Sequence, residues 1–206
     1  MNHLDLEKIY LKHLFFFNSL LGKYKPFVFY GTLLGLVRDG GFIKNDDDID
    51  FLIDIKFKQK VLNKLKSLKE FKINRKFTNK YFVQLINKNK SYTVCIDFYF
   101  YINPKNTNYI IDKHNWLSTI ESSKHHLHIP KKLIFPLKKN RNFKQLYFPF
   151  KPKALCEFLY GLSWSKPLGK GTGYRMEILD NKPKLIQRSY LGGLTRKVKA
   201  LFKTIV

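Results

Sequence analysis

The chain has 206 residues, with 39 Lys and Arg against 15 Asp and Glu, and a formal net charge of +24. This length fits one domain, or one domain with an appended tail, and a content of 44% hydrophobic and 16% aromatic residues excludes a disordered polycation. The positive charge therefore decorates a folded body whose partners are anionic: nucleotide phosphates, nucleic acid or an acidic membrane surface.

Leu6, Ile9, Tyr10, Leu14, Phe17 and Leu21 recur at helical spacing and predict an opening amphipathic helix that Gly22 can end. Its apolar run from Leu14 to Leu21 is too short for a membrane span, and the first residues lack the basic-then-apolar order of a secretion signal. A cytoplasmic protein is expected. Phe27 to Tyr30 then reads as a short apolar strand, Gly31-Thr32 as a tight turn, and Leu33 to Val37 as a helix. A strand, glycine turn and helix in that order offer backbone N–H groups and a hydroxyl to phosphate oxygens.

Asp46-Asp47-Asp48-Ile49-Asp50 follows, placing four of the few carboxylates within five residues. Like charges so close repel unless they stand in open solvent or a divalent cation holds them. The flanks favour the cation, because the acids lead directly into an apolar strand, Asp48 to Ile53, rather than into a polar segment. A strand's period of two puts Asp48 and Asp50 on one face with Ile49 and Phe51 on the other. Asp46 and Asp47 read equally as ligands or as loop acids that tune the local field or cap a turn.

Lys58 to Lys69 carries Val61, Leu62, Leu65 and Leu68 at helical spacing, and Phe71 to Phe77, Tyr81 to Asn87 and Ser91 to Tyr101 read as strands. Within the last of these, Asp97 interrupts Val94-Cys95-Ile96-Asp97-Phe98-Tyr99-Phe100 and shares a face with Cys95 and Tyr99. A lone acid in an apolar strand is costly unless it pairs with a cation from Lys or Arg or binds metal, and both readings stand at this point. Cys95 and Cys156 have no paired spacing and are expected to be reduced core thiols.

From Asn103 to His128 the chain is expected to be polar and irregular, with His114, His125, His126 and His128 as loop histidines near an acceptor groove. Zinc is disfavoured because no cysteine accompanies them in ordered pairs. One of these histidines, Asp50 or Asp97 could serve as a general base. Leu133 to Leu137 and Lys144 to Phe148 suggest a hairpin, and Pro152 to Tyr160 a helix stopped at Gly161. Gly169-Lys170-Gly171-Thr172-Gly173 fails the Walker spacing and reads as a flexible basic loop. Leu194 to Val206 forms a basic amphipathic pattern that can dock on the core or lie on an anionic bilayer.

The run Gly31-Thr32-Leu33-Leu34-Gly35, then Arg38, Gly41-Phe42-Ile43 and Asp46-Asp47-Asp48-Ile49-Asp50 closely resembles the LicD/fukutin family; Phe148 to Pro152 through Leu159-Tyr160-Gly161 resembles it more weakly. One departure is Asn45, where the family usually carries Trp; the metal ligands are untouched, whereas the lining of the donor pocket differs. The resemblance implies an α+β fold, a nucleotidyltransferase-like mixed sheet flanked by helices with a C-terminal α/β extension, its catalytic domain spanning residues 1–175; residues 176–206 read from their own charge and spacing as a basic tail with an amphipathic helix. It implies transfer of a phospho-alcohol such as phosphocholine, phosphoglycerol or phosphoribitol from a CDP-linked donor to a sugar hydroxyl of a surface glycan; a lipid-linked acceptor at the inner face of the membrane is the expected partner. It makes Asp97 the third acid of the cage.

The expected site is therefore Asp48, Asp50 and Asp97 as catalytic and metal ligands for Mg²⁺ or Mn²⁺, with Gly31, Thr32 and Arg38 binding the donor phosphates. Two other readings remain: a nucleotidyltransferase moving a nucleotide from a triphosphate onto RNA, protein or a small molecule, and a non-catalytic nucleic-acid or membrane binding module. The second leaves the acidic cluster unexplained, since acids repel a polyanion, and nucleic acid is not the expected partner.

Overall fold

Alternating apolar and polar positions in two central strands organise the protein. The computed structural model describes residues 3–44, 46–87, 93–113, 126–167 and 174–187. Strands β1 (Phe27–Val28), β2 (Asp48–Asp54), β3 (Phe71–Ile73), β4 (Phe82–Asn87), β5 (Cys95–Tyr101), β8 (Lys138–Asn140) and β9 (Leu146–Phe148) form a seven-stranded mixed sheet in the order β3-β4-β5-β2-β1-β9-β8. The pairs β2/β5 and β1/β9 are parallel, and the others are antiparallel. With helices packed around it, the sheet is the α+β architecture expected from the sequence.

The odd face of β2 and the even face of β5 are wholly apolar. Ile49, Phe51, Ile53, Ile96, Phe98 and Phe100 are fully buried, and Phe51 stacks on Phe98 with ring centroids 5.6 Å apart. Helix α1 (His3–Leu21) covers this face through Phe17, whose ring meets Phe98 edge-on at 5.5 Å. Burying such a side chain contributes about 1.5–3 kcal/mol, and this packing, rather than intrinsic propensity, stabilises a helix of this length.

The opposite face carries the polar set. There α2 (Tyr30–Arg38) packs on β2, and α5 (Pro152–Tyr160) packs on α2. Helix α2 starts earlier than expected: Gly31 and Thr32 lie in its first turn instead of forming a turn before it. The reversal from β1 is made by Tyr30, a non-glycine residue at φ 36°, and the Leu33 N–H already donates to the Phe29 carbonyl at 2.9 Å.

Three further expectations are corrected. The strand expected over Phe71–Phe77 ends at Ile73. The apolar run Leu133 to Leu137 is not a hairpin arm: its start lies in α4 (Lys131–Ile134), and Pro136, which has no N–H to give a ladder, precedes the true arm β8. The polar stretch after Asn103 contains β6 (Tyr109–Asp112), paired antiparallel with β7 (Leu127–Pro130). In that small sheet His128 stacks on Tyr109 at 4.2 Å. His114 and His125, the Gly169–Gly173 loop and the Leu194–Val206 helix lie outside the described residues.

Helix α3 (Lys58–Lys66) follows β2, slightly shorter than its apolar spacing suggests. Strands β10 (Tyr174–Leu179) and β11 (Lys182–Gln187) form a hairpin, so the expected boundary between residues 175 and 176 falls within β10. The hairpin touches the body: the Asn181 carbonyl accepts the His128 N–H at 3.0 Å. Among the described residues no helix is long and apolar enough to cross a membrane.

Candidate metal centre

Parallel pairing of β2 with β5 sets Asp50 directly beside Asp97 and Asp48 beside Cys95. Because side chains alternate along both strands, Asp48, Asp50 and Asp97 project from the same face. One carboxylate oxygen from each lies within 4.8 Å of the others. Asp50 and Asp97 are only 3% and 2% exposed, so their charges are poorly solvated and repel one another across a short gap. Asp46, Asp47 and Asp48 also bring one oxygen each within 4.8 Å, which places the loop acids at the mouth of the same cluster.

Burial raises the proton affinity of Asp50 well above the ordinary carboxylate range, and the charges of Asp48, Asp97 and Asp46 raise it further. Asp97 is pushed up to about 7, chiefly by burial, although a hydrogen bond from Gln84 acts in the opposite direction. A divalent cation relieves both penalties at once, and an all-carboxylate set of hard oxygen donors suits Mg²⁺ or Mn²⁺. Cys95 does not alter that character. Burial, followed by the charges of Asp97, Asp47 and Asp48, pushes its thiol up to about 11 and keeps it protonated.

Thr32 and Asp50 bond reciprocally. The Asp50 N–H donates to Thr32 Oγ1 at 2.8 Å, and the Thr32 N–H donates to Asp50 Oδ2 at 3.2 Å. Strand β1 ends at Val28, opposite Phe51, so the threonine hydroxyl takes up the backbone amide beyond the end of that ladder. The carboxylate in turn satisfies an N–H in the first turn of α2, where negative charge is favoured. Thr32 is fully buried, and its hydroxyl retains its own proton to donate.

Gly31 lies against the carboxylates. A Cβ built there would stand 2.8 Å from Asp46 Oδ2 and 3.3 Å from Asp50 Oδ2, so the absence of a side chain lets both acids approach the start of α2. Arg38 is at the other end of that helix, where its Nε and Nη2 bind the two oxygens of Asp39 at 2.8 and 2.7 Å. The structure thus brings Asp48, Asp50, Asp97, Gly31 and Thr32 together and pairs Arg38 with its sequence neighbour.

Several neighbours of the cluster were given no role at the site from the sequence. Tyr30 Oη donates to Asp112 at 2.6 Å, linking the left-handed start of α2 to β6. The Tyr30, Tyr99 and Tyr160 phenols are all pushed up, first by burial, with the Asp50 charge contributing to each. Gln84 stands opposite Asp97 in the β4/β5 register and donates from Nε2 to Asp97 Oδ1 at 3.0 Å. Its signal was the isolated amide in Phe82-Val83-Gln84-Leu85-Ile86, but a period of two gives only the face and not the partner.

A family model described as LicD/FKTN/FKRP, nucleotidyltransferase domain, matches residues 23–150, more than half of the chain. That span contains Gly31, Thr32, Asp48, Asp50, Gln84 and Asp97. No curated protein matches the chain.

Proposed function

Since the chain belongs to the LicD/FKTN/FKRP nucleotidyltransferase-domain family of transferases, we propose that it is a metal-dependent phosphotransferase acting on a CDP-linked alcohol. The observation that carries this reading is the in-register placement of Asp50 beside Asp97, with Asp48 on the same face. Three buried or half-buried carboxylates in a protein of net charge +24 are an expensive arrangement without a cation, and the residues present fit Mg²⁺ or Mn²⁺.

Asp48, Asp50 and Asp97 would hold the ion. Bound there, it supplies Lewis-acid polarisation of phosphoryl oxygens and offsets charge on the leaving nucleoside monophosphate. The protein's own groups supply position. Gly31 keeps the start of α2 open to the donor phosphates, and Thr32, itself fully buried, serves by fixing Asp50 through their reciprocal hydrogen bonds. Arg38 would share its guanidinium between Asp39 and the transferring or leaving phosphate. In the reaction, the acceptor hydroxyl oxygen forms a bond to the alcohol-bearing phosphorus, the anhydride bond to CMP breaks so that CMP leaves with the bridging oxygen, and the hydroxyl proton is released to solvent.

The acceptor in this reading is a sugar hydroxyl of a surface glycan, lipid-linked and presented at the inner membrane face. Residues 194–206 would contribute affinity for that anionic surface through Arg196, Lys197, Lys199 and Lys203. Sedimentation with anionic vesicles tests this: binding that ignores both salt and deletion of the segment would make the tail structural.

The activity is tested by incubating the protein and Mg²⁺ with a panel of CDP-alcohols, nucleoside triphosphates and glycans, and following the leaving group by mass spectrometry. CMP release is expected. Pyrophosphate release from a triphosphate would instead establish nucleotide transfer, and no release from any donor would remove the catalytic reading.

A further inference from the structure

We propose that Gln84 is the positioning residue of the third carboxylate, and that Asn74 fixes the orientation in which it works. The proposal rests on the reading of Asp48, Asp50 and Asp97 as a metal cage. Strands β4 and β5 pair so that Gln84 and Asp97 are direct cross-strand partners. Gln84 Nε2 donates to Asp97 Oδ1 at 3.0 Å, leaving Oδ2 outside this bond.

A primary amide has an acceptor end and a donor end, so its orientation decides whether it can serve a carboxylate. Asn74 decides it here. Its Nδ2 donates to Gln84 Oε1 at 2.7 Å, which turns the NH₂ of Gln84 toward Asp97. Asn74 is itself anchored on the same residue, because its backbone N–H donates to the Gln84 carbonyl at 2.9 Å. Asn74 immediately follows β3, so the outer pair of strands is tied through two amides to a carboxylate in the interior of the sheet.

The residue type matters. Lysine or arginine at position 84 could hold Asp97 more strongly, but it would neutralise the charge a divalent cation needs and compete for the same oxygens. An amide orients the carboxylate and leaves its charge intact. Groups that orient metal ligands from behind typically change metal affinity 10- to 100-fold when removed.

The test is Mn²⁺ binding by the full chain, with free Mn²⁺ read by electron paramagnetic resonance, alongside thermal melting without metal. Asp97→Asn, Gln84→Met, Asn74→Ala and the Gln84→Met/Asn74→Ala pair are compared with the unaltered chain. Gln84→Met, of similar length and without donors, should weaken Mn²⁺ binding about 10-fold or more. Asn74→Ala should weaken it less, and adding it to Gln84→Met should cause no further loss, because its effect passes through Gln84. Wild-type Mn²⁺ affinity in Gln84→Met, with weakened binding in Asp97→Asn, would overturn the positioning role and leave the cage standing. Unchanged binding in Asp97→Asn would overturn the cage and this role with it. Should Gln84→Met fail to fold, Asn74→Ala decides: weaker Mn²⁺ binding at an unchanged melting temperature supports the role, and unchanged affinity overturns it.

Discussion

Thr32 and Asp50 each supply what the other's backbone lacks: the threonine hydroxyl accepts the aspartate N–H at 2.8 Å, and the aspartate carboxylate accepts the threonine N–H at 3.2 Å. This pair joins the first turn of α2 to β2 and aims a ligand of the proposed cage. Thr32→Val keeps the shape but removes the acceptor, leaving a buried N–H unsatisfied at a cost of about 1–3 kcal/mol. Thr32→Ser should recover most of that loss. Urea denaturation of the three proteins measures it, and equal stability of Val and wild type would show that the hydroxyl is dispensable.

Replacing Asp48, Asp50 or Asp97 singly by Asn preserves volume and removes one negative charge from a cluster whose members repel. Turnover should fall by more than about 100-fold, beyond the usual effect of losing a group behind the ligands. The metal-free fold should be retained or slightly stabilised, because burial and mutual repulsion both oppose ionisation of Asp50. Near-normal turnover at saturating Mg²⁺ would strip the substituted residue of its assigned role.

The face of each acid was legible in the sequence, because period two in Asp48–Asp54 and Cys95–Tyr101 fixes which side chains share a side. That Asp97 joins Asp48 and Asp50 was implied by the family resemblance, whereas the residues alone left it open; its in-register place directly beside Asp50 was not legible, since parallel register is set by packing between strands distant in the chain. Gly31 was visible as a glycine next to a phosphate-binding pattern, yet its position was misread. Propensity gives no hint that Tyr30, rather than Gly31, takes the left-handed conformation at φ 36°; a hydrogen bond to Asp112, 82 positions away, accompanies that choice. The same limit explains the missed strand at Tyr109–Asp112, whose partner Leu127–Pro130 lies beyond an intervening polar segment.

Gly31→Ala places a methyl group 2.8 Å from Asp46 Oδ2 and 3.3 Å from Asp50 Oδ2. The Asp46 carboxylate must turn aside at some cost, while alanine in the first turn of α2 recovers helix propensity that glycine lacks, so stability should change by less than about 1 kcal/mol. Gly31→Val adds two methyl groups and pushes on Asp50, which Thr32 holds in place. Donor affinity measured by calorimetry should therefore fall for Ala and fall further for Val, with melting temperature nearly unchanged for Ala. Donor affinity unaffected by either substitution would leave Gly31 as a packing residue only.

Proton linkage gives the last expectation. The folded protein holds a proton on Asp97 up to about pH 7, whereas an unfolded aspartate releases it near its ordinary value of 3.8. Between these values the native state binds more protons, so this group's contribution to metal-free stability declines as pH rises from about 4 to 7. Asp50, also shifted upward, acts in the same direction. Asp97→Asn cannot titrate, so its stability relative to wild type should grow across that window. A divalent cation needs the ionised carboxylates and displaces their protons, so the gain in melting temperature from Mg²⁺ should be small at pH 5 and large at pH 8. Differential scanning calorimetry of both proteins across this range, with and without Mg²⁺, measures the effect; parallel pH profiles and a pH-independent gain would show that these carboxylates neither retain protons in the native state nor receive the ion.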